Sequence, residues 1–221
     1  MNKIAIYVLL VLIYLGLAKG FSSNEMGIAF IKNSKGLSSL LNGNNLTAVL
    51  IDTHSTGYFI KTYYQKYRVI SVPVSSQEII VRTSRKFALK NINNIGLSLF
   101  RRYSSEDYED TTPLPPGMIF VGDPQFGRWK YAPSGRKEWN FYPAYKELSS
   151  KLGWGKFKPS RKFYDVARDY IGQNKAYYGL SSEFGTEGEI TKTNFIDYFE
   201  RLNRPEIGVR DIIIEYFKKN F

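Results

Sequence analysis

The chain has 221 residues, no cysteine, one histidine, and 31 Lys and Arg against 20 Asp and Glu, for a formal charge of +11 at pH 7. The absence of cysteine excludes a disulfide framework, a thiolate nucleophile and a cysteine-ligated zinc or iron–sulfur cluster; a lone histidine leaves any transition-metal site dependent on carboxylates, so neither metal nor cofactor is expected. Hydrophobic residues at 43% and charged residues at 23% match folded domains rather than disordered chains, so the core is expected to be large enough to need no covalent staples.

Residues 1–20 read as a secretory signal. Asn2 and Lys3 precede an apolar run from Ile4 to Ala18, and small residues follow at Ala18-Lys19-Gly20 or Gly16-Leu17-Ala18. As a helix that run would reach about 22 Å, against a bilayer core of roughly 30 Å. Cleavage after Ala18 or Gly20 is therefore expected, and the alternative is an uncleaved anchor with Lys3 and Lys19 at its ends. Either way the protein is expected to be exported, periplasmic or extracellular, with residues 21–221 forming a single α+β domain.

Along that domain, Ser23 is placed to cap a helix over 24–41, weakened by Gly27 and Gly36. From Leu46 the pattern turns to an antiparallel meander: Thr47 to Ile51, Tyr58 to Tyr64, Arg68 to Val74 and Glu78 to Thr83, with turns at His54-Ser55-Thr56-Gly57 and Ser75-Ser76-Gln77. Pro73, lacking an amide donor, marks an edge or an end. Ser84 then precedes Ala88, Ile92, Ile95 and Leu99, which predicts a helix ending near Tyr103.

The stretch 104–116 combines Glu106, Asp107, Glu109 and Asp110 with three prolines, the composition of a surface loop or subdomain boundary. Met118 to Val121 predicts a strand. Arg128 to Tyr131 and Lys137 to Tyr142 predict a hairpin around Ala132-Pro133-Ser134-Gly135-Arg136. Three helices are expected to close the chain: one after Ser160, one after Thr193, and one carrying the stripe Val209, Ile212, Ile213, Tyr216 and Phe217. The fold expected is α+β, with antiparallel strands packed against helices drawn mainly from the C-terminal third.

The charge is concentrated. Residues 124–175 hold 12 Lys and Arg against 4 Asp and Glu. Within them Trp129, Lys130, Arg136, Trp139, Trp154, Lys156, Lys158, Arg161 and Lys162 interleave cations with all three tryptophans. Aromatic faces stack on sugar rings, and Lys and Arg pair with phosphate or carboxylate. An exported protein bearing such a segment is expected to bind an anionic or glycan-containing polymer, or an anionic lipid surface, with nucleic acid the lesser alternative. Strand alternation puts Trp139 and Phe141 on one face, so part of this aromatic set is equally suited to a core.

The alternative function is a glycan hydrolase. Its carboxylates would come from Asp123, in a Gly/Pro-rich loop, and from Glu183 or Glu187, in a Gly-rich acidic stretch. His54 beside Asp52 has the composition of an oriented base but falls in an expected turn, where neighbours point apart. The acidic cluster at 106–110 fits no EF-hand spacing and reads as solvated, with weak calcium binding as its other use.

Overall fold

Leu46 to Ile51 is an uninterrupted run of mostly apolar residues, and such a run makes a strand covered on both faces. The structure, a computed structural model, describes residues 3–21, 27–57, 61–104 and 108–204, and of 15–21 the backbone alone. In it this run opens strand β2 (Leu46–Thr56), whose first six residues are all buried. Around it lies a six-stranded sheet of β1 (Phe30–Ile31), β2, β3 (Thr62–Ser71), β4 (Ser75–Thr83), β5 (Ser98–Arg102) and β6 (Glu109–Asp110), in the order β1-β4-β3-β2-β5-β6. Only the β1–β4 pairing is parallel; the others are antiparallel. A separate hairpin joins β7 (Gly127–Tyr131) to β8 (Lys137–Phe141).

Among the described residues the helices are α1 (Lys3–Phe21), α2 (Arg85–Lys90), α3 (Leu148–Lys151), α4 (Arg161–Gly172), α5 (Glu189–Asn194) and α6 (Ile196–Leu202). The fold is α+β, with an antiparallel-rich mixed sheet and α3 to α6 following the hairpin. One buried cluster runs from Ile31 through the sheet residues Leu50, Ile70 and Phe100 to Phe163 and Tyr198. It draws on both sides of the 104–116 stretch.

Several local expectations are corrected. Residues 27–41 form β1 and a short 3-10 turn (Ser34–Leu37) capped by Asn33, whose Oδ1 accepts the Gly36 amide, instead of a helix. Residues 62–64 and 68–71 of the strands expected at 58–64 and 68–74 belong to one strand, β3, and the turn expected at Ser75-Ser76-Gln77 lies instead at 72–74, with Ser75 to Gln77 opening β4. The polar Gln65 does not interrupt β3 because it is buried, accepting the Tyr67 hydroxyl at 2.8 Å. His54 lies on β2 opposite Tyr64, not in a turn.

The helix expected from Ser84 starts as read, with Ser84 Oγ accepting the Phe87 amide, but ends at Lys90. Asn91 donates to the Phe87 carbonyl and Asn94 to Asn91, and these local bonds compete with helix continuation. Gly96 then takes a φ of +80°, and the chain turns into β5. Met118 to Val121 is buried but not a strand. Gly117 and Gly122, both at positive φ, bracket a turn in which Phe120 and Val121 donate to the Gly117 carbonyl. Thr193 sits inside α5 rather than capping a helix, and its hydroxyl donates to the Glu189 carbonyl.

The 104–116 stretch is not a solvated loop throughout. Asp110, Thr112 and Leu114 are buried, and the Pro116 carbonyl accepts the Trp154 indole N–H at 2.9 Å. Glu106 and Asp107, Tyr58 to Ile60, and the stripe from Val209 to Phe217 lie outside the described residues.

Candidate binding site

The segment 156–160 docks along β8: the Trp139 amide donates to the Pro159 carbonyl at 2.9 Å, and Glu138 bridges Ser160. Its side chains alternate as on a strand. Phe157 turns toward Phe163 and Phe184 at 5.1 Å each, Pro159 is buried, and Lys156 and Lys158 are exposed. Two lysines are thereby brought beside Arg136 and Glu138.

Together with Ser160 and Glu183, these residues line a cavity of about 310 Å³. A shallower one of about 350 Å³ adjoins it, sharing Arg136, Ser160 and Leu180 and adding Lys137, Arg161 and Lys162. Arg136, Lys156, Lys158, Arg161, Lys162 and Glu183, chosen from the sequence for their chemistry, thus meet at one groove.

Its field is positive. Arg136 reaches Glu138 at 3.7 Å and Arg161 reaches Asp165 at 2.9 Å, but Lys156, Lys158 and Lys162 have no carboxylate partner among the described residues. Ser160 caps α4 by accepting the Phe163 amide, so Arg161 and Lys162 stand in the first turn, where no acidic residue is present. The amino end of a helix is already positive, and cations there are unfavourable unless an anion joins them.

Glu183 accepts the Ser181 amide at 3.0 Å and contributes an acceptor to the cavity wall. Phe157 and Leu180 supply apolar surface that the sequence reading did not assign to the site. The signal for Phe157 was the period-two run from Lys156 to Ser160.

The tryptophans divide. Trp139 and Trp154 are each 3% exposed and belong to the core, so the expectation that they offer ring faces to a ligand is corrected. Trp139 meets Trp129 and Phe141 edge-on, and Trp154 stacks on Phe141 at 5.4 Å. Trp129 is half-buried, with the Arg161 guanidinium 5.5 Å from its ring centroid. Lys130 is exposed on β7 opposite Glu138, outside both cavities.

The carboxylates of the hydrolase alternative are not brought together. Asp123 lines a different cavity, of about 480 Å³, beside Tyr164, Arg168 and Ile171 of α4. Glu187 is 87% exposed and paired with Lys192 at 2.8 Å. His54 does share a strand face with Asp52, its Nδ1 lying 3.8 Å from Oδ1, which corrects the expectation that the two point apart. That same oxygen accepts Arg201, and the imidazole stacks on Tyr64.

In the acidic stretch, Glu109 pairs with Arg102 at 2.7 Å and Asp110 with the buried Arg101. Among the described residues no group of three or more His, Asp or Glu side chains is placed to hold a metal. No protein-family model matches the chain, and neither a curated protein nor a solved structure matches it.

Proposed function

We propose that this is an exported, envelope-associated protein that binds an anionic polymer in the groove between β8, the 156–160 segment and the start of α4. The observation that carries this is the convergence of Arg136, from the turn between β7 and β8, with Lys156, Lys158 and Lys162, from the stretch 156–162, the three lysines being unpaired among the described residues. Cations gathered without partners raise the local concentration of an anion and hold it by charge-assisted hydrogen bonds. The concave shape favours a threaded polymer over a flat anionic lipid surface.

Export is supported by α1, whose apolar side chains from Ile4 to Tyr14 are exposed all round, as suits a segment handled by a membrane. Intact-mass measurement on protein from its native host should find residues 1–18 or 1–20 removed; a mass retaining them would make α1 an anchor instead.

Replacing Lys156, Lys158 and Lys162 together by Gln tests the groove. Affinity for a soluble polyanion at low salt should fall by roughly a hundredfold, at about 1 kcal/mol for each of the three cations near an anionic surface. The salt dependence should flatten, because exposed charges are screened over about 10 Å at 0.1 M. Unchanged affinity in a folded variant would refute the proposal. Tighter binding to anionic vesicles than to polymer would favour the lipid surface.

A further inference from the structure

A second cavity adjoins the groove at Arg161. That guanidinium lies 5.5 Å from the Trp129 ring centroid and 5.6 Å from that of Tyr164, and Tyr164 is the wall of the 480 Å³ cavity on the next face of α4. This second cavity has a different chemistry. Tyr103 and Tyr108, with ring centroids 5.7 Å apart, form one side, and Met118, Ile119 and Val121 contribute apolar lining. Gly122 lies against the Tyr164 ring so closely that an added Cβ would meet Cζ at 2.6 Å.

The polar groups are few and of both signs. Asp123 uses one oxygen to accept the Gln125 amide at 2.9 Å, leaving the other as an acceptor. Arg168 touches only the Tyr164 hydroxyl and ring among the described residues.

From the adjacency of these two cavities on either side of the Arg161–Tyr164 contact, we infer that the ligand is an anionic glycan, with a sugar ring seated in the tyrosine-walled cavity while its neighbours' charges lie in the basic groove. This rests on the groove reading given above. A sugar ring has apolar faces for Tyr108 and the Met118 to Val121 turn, and a hydroxyl rim that donates to Asp123 and accepts from Arg168. A ring-free polyanion would leave the apolar surface unused and be repelled by Asp123. An acyl chain would leave Asp123 and Arg168 without partners.

Three polymers separate the terms: polygalacturonate has rings and charge, polyphosphate has charge without rings, and dextran has rings without charge. Tyr108, at 47% exposure, is replaced by Ala. Asp123 is replaced by Asn, which keeps an oxygen for the Gln125 amide. Tyr108→Ala should bind polygalacturonate roughly tenfold more weakly, as loss of a stacking platform does elsewhere, bind polyphosphate as the unaltered protein does and leave the salt slope unchanged. Asp123→Asn, which loses the stronger acceptor for a sugar hydroxyl, should also weaken polygalacturonate binding but bind polyphosphate no more weakly than the unaltered protein does. If polyphosphate binds as well as polygalacturonate and neither substitution matters, the ring site is wrong and the groove reading stands alone. If neither polyanion binds, both readings fall. Dextran binding that survives Lys156, Lys158 and Lys162→Gln would overturn the joint site in favour of a neutral-sugar cavity.

Discussion

Arg101 is wholly buried, and its guanidinium is spent inside the protein: on Asp110, on the Thr112 carbonyl, and on the Ser98 carbonyl at 3.2 Å. Removing one partner of a buried pair leaves an uncompensated charge, so Asp110→Ala should cost about 3 to 5 kcal/mol in a urea or thermal unfolding measurement. A loss below about 1 kcal/mol would mean that the two carbonyls suffice.

The same pair sets an acid limit. Burial alone would raise the Asp110 pKa, but the Arg101 charge and the hydrogen bonds from Thr112 outweigh it and hold it below the ordinary 3.8. A carboxylate whose folded pKa is depressed contributes stability above its unfolded pKa and loses it as pH falls through the folded one. Stability should therefore be flat above about pH 5 and decline below about pH 4. Asp110→Asn should shallow that decline, and an unchanged acid slope would show that other carboxylates dominate. Tyr67 and Tyr177 behave in the opposite direction: burial pushes both hydroxyls above the ordinary 10.0, so their contribution persists below pH 10 and is lost as alkali ionises the unfolded chain.

At the scale of elements, serine caps lend themselves to a paired test. Ser84 and Ser160 each accept an amide three residues on, and replacing either by Ala should cost about 1 kcal/mol of stability. Only Ser160→Ala should also weaken polyanion binding, because Ser160 itself and the first-turn residues Arg161 and Lys162 line the groove. Equal binding by the two variants would detach the groove from the start of α4. Gly127→Ala should unseat the hairpin, since its Cβ would overlap the Asn140 carbonyl and crowd the Trp139 ring.

These elements also show how far the sequence could be read. The hairpin, the Ser160 helix and the start of the Ser84 helix were legible because turn residues and capping hydroxyls act over three or four positions. The end of α2 was misread because Ile92, Ile95 and Leu99 have helical spacing, yet Ile95 and Leu99 are buried around the Asn-rich turn and in β5. Met118 to Val121 was misread because an apolar run states that it is buried, not in what conformation. In the site, the cations were found by composition. Which tryptophans are core was half legible: alternation set Trp139 beside Phe141, but the burial of Trp154 depends on the Pro116 carbonyl, 38 residues away, and on the Phe141 ring.

Across the whole molecule, cations are not confined to the groove. The six-stranded sheet also carries Lys66, Arg68 and Arg82, but Lys66 and Arg68 are paired with Glu78 at 2.5 and 3.3 Å, which lowers the Glu78 pKa below its ordinary value. Long-range attraction responds to net charge, whereas a site is defined by cations that remain available and by the shape they line. Binding should therefore be localised to the groove and not spread over every basic surface.

Hydrogen exchange of the full chain with and without polygalacturonate reads that location directly. Slowed exchange should concentrate in the peptides covering 136–141 and 156–164, with the 118–123 turn included if the ring site is occupied. Protection confined to β3 and β4, or the same protection in the Lys156, Lys158 and Lys162→Gln variant, would contradict the assignment of the groove.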